Sequence, residues 1–336
     1  MKKHYDNLQE FRGMAALLIV LSHIPFFENL IGSSWGGYGV TAFFLLSGFL
    51  LMHSTQKGAD RFLIKRIARI IPLFWATTLF TFVVARVKPD WFNTTVATVP
   101  NLIKSLLFIP YVNPNGMVRP ILDVSWALFP EVWLYVLFYF AMKVSHRYRG
   151  LLAGGVFIAL YLLAVGPFRQ NSIFNQYKLS FLCMPVGMAV YFAVKRWVRP
   201  GESPSAKVVV WLKPTLIFTF WAVSIAYNFL TVGSLNLVGV ALTVLVFVAF
   251  ILAEDRSQKA RFFGWLGEIS YSMYLIHEFV VKGTSRLLFS LESIDFITLL
   301  ASLACTGIVI CVAYAVNRWF EKPAAGLILN TDTKLC

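Results

Sequence analysis

The stretch Arg12-Gly13-Met14-Ala15-Ala16-Leu17-Leu18-Ile19-Val20-Leu21-Ser22-His23 decides how this chain is read. Between Arg12 and Ser22 it is apolar at every position, a pattern that suits a helix buried on all sides or one crossing a membrane. His23 stands eleven residues after Arg12, close to a whole number of helical turns, so both side chains project from nearly one face. At 1.5 Å per residue they lie roughly 16 Å apart along the axis, about half the depth of a bilayer's hydrocarbon core. A cation at the membrane edge and an imidazole near mid-depth mark a path into the membrane.

The same apolar character recurs along the chain. Of 336 residues, 58% are hydrophobic and 14% are charged, well below the quarter typical of soluble domains. Continuous apolar runs, not alternating ones, argue for helices and against a β-barrel. The expectation is an all-α polytopic membrane protein of about ten transmembrane helices. They fall near 13–31, 38–54, 71–88, 124–142, 150–166, 179–194, 214–231, 234–253, 264–283 and 296–316. Residues 1–320 then form a single membrane-embedded domain, and 321–336 a short cytoplasmic tail.

The net charge of +14 is placed by topology. Cations crowd the alternate loops, with Arg61, Lys65, Arg66 and Arg69 in one, Lys143, Arg147 and Arg149 in the next, and Lys195, Arg196 and Arg199 in the third. The intervening loops carry few, such as Arg86, Lys88, Arg169 and Lys178. The positive-inside rule therefore puts both termini in the cytoplasm and makes nucleic acid an improbable partner. The four cysteines show neither disulfide nor metal-ligand spacing, so no metal is expected. The long outer connection from 89 to 123 holds an apolar piece, 101–109, too short to span and suited to the interface.

Ionisable groups inside apolar spans are costly and point to function. His23 can act as a general base on a hydroxyl acceptor near neutral pH. Arg12 can be a topology signal, but its guanidinium also suits a phosphate. Arg66 and Arg69, three apart before Pro72, share a face if helical and offer a polyphosphate a basic site. Glu131 is an acid within an apolar run; it pairs with a base, bonds a histidine or binds acceptor hydroxyls. Ser47 and Gly48 permit close helix approach. In the ninth span Tyr274, His277 and Glu278 can share a polar face.

Taken in order, these segments resemble the acyltransferase family 3 of membrane proteins. Arg12 and His23 are similar to the family's basic residue and histidine with ten residues between them. Phe43 to Phe49 resembles its Phe-Phe-x-x-Ser-Gly-Phe, and Phe62 to Pro72 its Phe-x-x-x-Arg-x-x-Arg-x-x-Pro. Trp126 to Glu131 resembles Trp-Ser-Leu-x-x-Glu, with Ala127 in place of the usual serine. Ser270 to His277 resembles Ser-Tyr-x-x-Tyr-Leu-x-His, and Glu321 to Pro323 the terminal Glu-x-Pro.

The resemblance implies a ten-span bundle in the bacterial cytoplasmic (inner) membrane. It implies transfer of an acyl group, usually acetyl, from cytoplasmic acetyl-CoA or another acyl-CoA to a hydroxyl of a surface polysaccharide, O-antigen or lipid-linked sugar. Acyl-CoA would be a co-substrate, with no permanently bound cofactor. His23, Arg12 and Glu131 are the expected catalytic residues. Arg12, Arg66 and Arg69 would bind the CoA phosphates, while Ser47, Tyr274 and His277 would bind the acceptor. Some relatives carry a fused extracytoplasmic hydrolase-like domain. This chain ends soon after its last expected span, which implies that it acts alone or with a separate partner. The competing reading is a transporter or exporter of a small acylated metabolite or glycan, with the buried His and Glu as proton sites. No inverted repeat is visible to favour it.

Overall fold

The computed structural model describes residues 6–32, 35–56, 58, 61–91, 95–197, 215, 219–222, 225, 237–253, 262–287 and 292–331. The expected span 214–231 lies largely outside them. The helices are α1 (Asp6–Ser22), α2 (Pro25–Ile31), α3 (Gly36–Ser54), α4 (Phe62–Val87), α5 (Val99–Leu106) and α6 (Leu128–Val144), then α7 (Arg149–Val165), α8 (Ser172–Trp197), α9 (Leu237–Leu252), α10 (Phe262–Leu287), α11 (Phe296–Val316) and α12 (Lys322–Thr331). Among the described residues the one departure from helix and loop is an isolated bridge between Val112 and Val118. Among the described residues, five segments are long and apolar enough to cross a membrane, and a sixth if the bent pair α1–α2 counts as one span. The described residues are thus of the all-helical membrane class, with fewer qualifying spans among them than the ten expected of the chain. Helices α7 and α9 are apolar but shorter, 17 and 16 residues. Helix α10, 26 residues long, carries Glu268, Glu278, Lys282 and Arg286 and does not qualify.

The first expected span is broken. Helix α1 ends at Ser22, and α2 leaves it at 89°. Pro25 is the cause. A residue before proline is driven out of the α region, and Ile24 has extended backbone at φ −85°, ψ 122°. Pro25 itself opens α2 at a position where its missing N–H costs nothing. His23 therefore sits at the corner and not inside a continuous span. A second boundary also moved. Helix α4 starts at Phe62, so Arg66 and Arg69 lie on its opening turns and not in a loop, and Pro72 is inside the helix.

By compactness the chain forms two units. The first comprises residues 1–46 and 189–314, the second 47–188 and 315–336. In the first, α1 is the central helix. Phe11, Met14, Ala15, Leu18 and Val20 are all fully enclosed. The Phe11 ring touches Phe220, Phe247 and Phe250 at 5.3–5.4 Å. Against α10 the contact is backbone on backbone. A Cβ on Gly13 would lie 1.9 Å from the Phe263 carbonyl oxygen, and one on Gly267 2.1 Å from that of Gln9. On another side, a Cβ on Gly39 of α3 would lie 2.7 Å from the Ala15 oxygen. Small residues are the standard means of bringing membrane helices this close.

In the second unit Gly48 plays the same part, since its Cβ would stand 2.0 Å from the Met184 carbonyl oxygen of α8. This bears out the close approach expected at Ser47-Gly48. Arg149, read from sequence as a topology charge, is buried and caps α3. Its Nε donates to Thr55 Oγ1 at 3.0 Å and its Nη2 to the Met52 carbonyl at 3.3 Å. His146 Nε2 donates to the Thr55 carbonyl at 2.9 Å. A cation on the last carbonyls of a helix also answers its dipole. The segment after residue 321 forms α12, which packs on α4. There Arg61 Nη2 donates to the Leu329 carbonyl at 2.8 Å.

Candidate functional site

The first unit holds a histidine pair. Gly13, midway along α1, meets Gly267 and Phe263 near the start of α10, and each histidine stands ten residues after its glycine. The two helices therefore run parallel, and the His23 and His277 rings meet edge to face with centroids 4.7 Å apart. His23 is exposed at the α1–α2 corner, whereas His277 is fully buried. Pro25 ends the helix of His23, so the ring stands at a corner and not within one continuous span.

Both rings are held the same way. His23 Nδ1 lies 2.8 Å from the Ile19 carbonyl oxygen, and His277 Nδ1 lies 2.8 Å from that of Tyr274. A carbonyl oxygen can only accept, so each Nδ1 carries a proton, and Nε2 is the ring nitrogen left to exchange one. His277 Nε2 is buried with no hydrogen-bond partner among the described residues. This is the tautomer a general base requires, with the basic nitrogen turned away from the groups that hold the ring. Tyr274, expected to bind acceptor, supplies that carbonyl, and its ring stands 6.3 Å from His277. Glu278 is engaged in an ion pair with Lys282 one turn on. Arg12 is half-buried on α1, two turns in from the helix start.

The second unit holds a network around Glu131, in the first turn of α6. Its Oε1 accepts from Ser47 Oγ at 3.0 Å and from the Tyr135 hydroxyl in a short hydrogen bond. Both partners are hydroxyls of the protein itself. Ser47 thus supports Glu131 directly. The Tyr135 ring lies under the Arg66 guanidinium at 5.1 Å, and Phe62 flanks it at 5.5 Å. Arg66 Nη2 also donates to Ser54 Oγ at 3.0 Å. Arg69 is close enough for its charge to act on the Tyr135 hydroxyl. Arg66 is therefore pre-oriented by two rings and a serine, which lowers the entropy cost of engaging an anion. Tyr135 is a residue the sequence reading passed over. The signal was present, since Tyr135 stands four residues after Glu131 on one helix face. Among the described residues no cluster of three or more His, Cys, Asp or Glu could hold a metal ion.

The first unit thus presents a histidine pair, and the second a carboxylate bonded to two hydroxyls beside an oriented guanidinium. The profile of a family described as an acyltransferase domain (acyltransferase family 3) matches residues 6–318. The chain belongs to this family and is an acyltransferase, which decides against the transporter reading. It is similar to the exopolysaccharide production protein ExoZ of Rhizobium meliloti, 26% identical over 75% of this chain and 78% of that one. It is also similar to ORF330 of Acidianus two-tailed virus, named for a proposed acetyltransferase activity, at 26% identity over 82% of this chain and 84% of that one. Nodulation protein 10 of Rhizobium leguminosarum bv. viciae is 22% identical over 83% of both. No solved structure matches the chain.

Proposed function

We propose that this protein transfers an acetyl group from cytoplasmic acetyl-CoA to a hydroxyl of a surface polysaccharide, O-antigen or lipid-linked glycan precursor. The observation that carries this reading is the His23 ring, exposed at a helix corner with its Nδ1–H given to the Ile19 carbonyl. In the step itself, His23 Nε2 takes the proton of the acceptor hydroxyl while the oxygen attacks the thioester carbonyl. The carbon–sulfur bond then breaks, and the CoA thiolate leaves with the proton His23 held. The product is an O-acetyl ester, and histidine returns to its starting state. Arg12, Arg66 and Arg69 offer guanidinium groups suited to the CoA phosphates. Glu131 orients hydroxyls, as it already does those of Ser47 and Tyr135. His277 keeps His23 flanked by a neutral ring. The relatives named for exopolysaccharide production and nodulation favour a glycan as acceptor.

In this reading ten spans cross the bacterial inner membrane with both termini cytoplasmic. The alternation of Lys and Arg supports it. So does the parallel course of α1 and α10, because the first and ninth of ten spans run the same way. Comparing NMR spectra of the surface glycan from a host with and without this gene tests the function. O-acetyl signals should vanish when the gene is removed and return on complementation. Unchanged spectra under conditions where the protein is made would refute it.

Tyr135 separates two contributions. Tyr135→Phe keeps the ring beneath Arg66 but strips Glu131 of a hydroxyl. Turnover should fall several-fold, with the KM for acetyl-CoA nearly unchanged. Tyr135→Leu also removes the cation–π contact, worth about 1 kcal/mol, so that KM should rise roughly fivefold as well. Steady-state kinetics of the two variants side by side would show it.

A further inference from the structure

We propose that Trp126 and Trp133, together with Tyr177 and the Arg119–Asp123 pair, form a sugar-binding platform that holds the acceptor glycan. The proposal rests on the function above and locates its acceptor site on residues outside the histidine and Glu131 clusters.

All five residues belong to the second unit. Asp123 to Ala127 form a tight 3-10 turn just before α6. In that geometry side chains three apart eclipse, so Asp123 and Trp126 share a face. Both indoles are half-buried, so part of each remains open. Trp133 is fixed by its Nε1–H, which donates to the Phe108 carbonyl at 3.1 Å. The two indoles converge on Tyr177, with Trp133 edge-on at 5.0 Å and Trp126 tilted at 6.4 Å. Tyr177 is wholly buried, and its hydroxyl has no hydrogen-bond partner among the described residues. Leaving a buried hydroxyl unmatched costs on the order of 1–3 kcal/mol, so a fold retains one where something compensates. Beside these rings Arg119 Nε meets Asp123 Oδ1 at 3.0 Å, each side chain about a quarter exposed at 28% and 25%.

The chemistry selects the ligand. A pyranose ring presents C–H faces that stack on indoles, and a rim of hydroxyls that both donate and accept. A guanidinium beside a carboxylate supplies both complements at once. Tryptophans also gather at membrane interfaces simply because they are amphipathic. That explanation needs no charged pair among the rings. An anionic lipid headgroup would meet the Asp123 carboxylate and be repelled, so a neutral sugar fits better than a phosphate.

The test uses the full-length protein in detergent. A neutral hexose oligomer cut from the producing strain's polysaccharide is titrated with tryptophan fluorescence as readout. The same titration is run with phosphatidylglycerol vesicles. Wild type should bind the oligomer. Trp126→Ala and Asp123→Asn should each weaken binding tenfold or more, while Trp126→Phe keeps most of it. In transfer assays Trp126→Ala should raise the acceptor KM at least tenfold and leave the acetyl-CoA KM within twofold. Trp126→Phe and Asp123→Asn preserve shape, so they keep the test valid if the alanine variant fails to fold. Transfer by wild type with an unchanged acceptor KM in Asp123→Asn, and in Trp126→Ala where that variant folds, overturns the platform and leaves the proposed function standing. Binding of vesicles but not of the oligomer overturns it in favour of a lipid site. Oligomer binding without any acetyl transfer supports the platform and counts against the function.

Discussion

His23→Ala should give a protein that folds and inserts but transfers acyl groups at least a hundredfold more slowly, the order expected for loss of a general base. The expectation follows from how the ring is held. Its Nδ1–H donates to the Ile19 carbonyl, which leaves Nε2 as the nitrogen placed to take a proton, and the α1–α2 corner leaves the side chain exposed. Little packing is lost with an exposed ring, so abundance and thermal stability should stay near wild type. His23→Gln is the sharper companion. Glutamine can mimic the hydrogen bond to Ile19, yet it cannot take a proton at neutral pH. A glutamine variant as slow as the alanine variant assigns the loss to proton transfer. One that recovers most activity would mean that His23 only positions a partner. The acceptor KM should change less than turnover in both, because the base acts on the transition state.

The second large effect is structural. Gly13→Ala places a methyl group 1.9 Å from the Phe263 carbonyl oxygen, 2.8 Å from the Gly267 nitrogen and 2.9 Å from the Phe263 carbonyl carbon. All three obstacles are backbone, so no rotamer change relieves the clash and α1 must lift from α10. Overpacking usually costs about 1–3 kcal/mol, and a rigid obstacle puts this case at or above the upper end. Gly267→Ala meets the Gln9 carbonyl in the same way and should cost as much. The double variant should cost less than the sum, because the first separation makes room for the second. Gly283→Ala on the same α10 is the control, with nothing within 4 Å of the added carbon. It should be neutral or slightly stabilising, as alanine is the better helix former. Thermal unfolding in detergent distinguishes them. Gly13→Ala should also reduce activity beyond its loss of folded protein, since this contact sets the register of His23 against His277.

Much of this architecture is legible in the chain because apolar runs have a helical meaning wherever they occur. Helix α3, the short helix α5 in the long connection and the close packing at Gly48 all follow from local composition. The break at His23 was written in Pro25, but an apolar run on both sides of a proline reads as one span when length is counted first. Helix α4 began earlier than expected because charged residues were given to a loop, although Arg66 and Arg69 fit the first turns of a helix equally well. The Glu131–Tyr135 bond was legible in principle from its one-turn spacing. Other features were not. Arg149 caps a helix end 94 residues away in sequence, and a single sequence gives no signal that joins them. The His23–His277 pair is similar, because two helices far apart in sequence must first pack through Gly13 and Gly267. The orientation of each ring is legible only once the carbonyls that accept its Nδ1 proton are in place.

The most direct measurement is product formation by the purified protein in detergent, supplied with acetyl-CoA labelled in the acetyl group and a deacetylated surface glycan. The account predicts label in alkali-labile ester linkage on the glycan, with free CoA released in equal amount and both lost in His23→Ala. Labelled glycan formed at the wild-type rate by a folded His23→Ala protein, or no labelled glycan from active wild-type preparations, would contradict it.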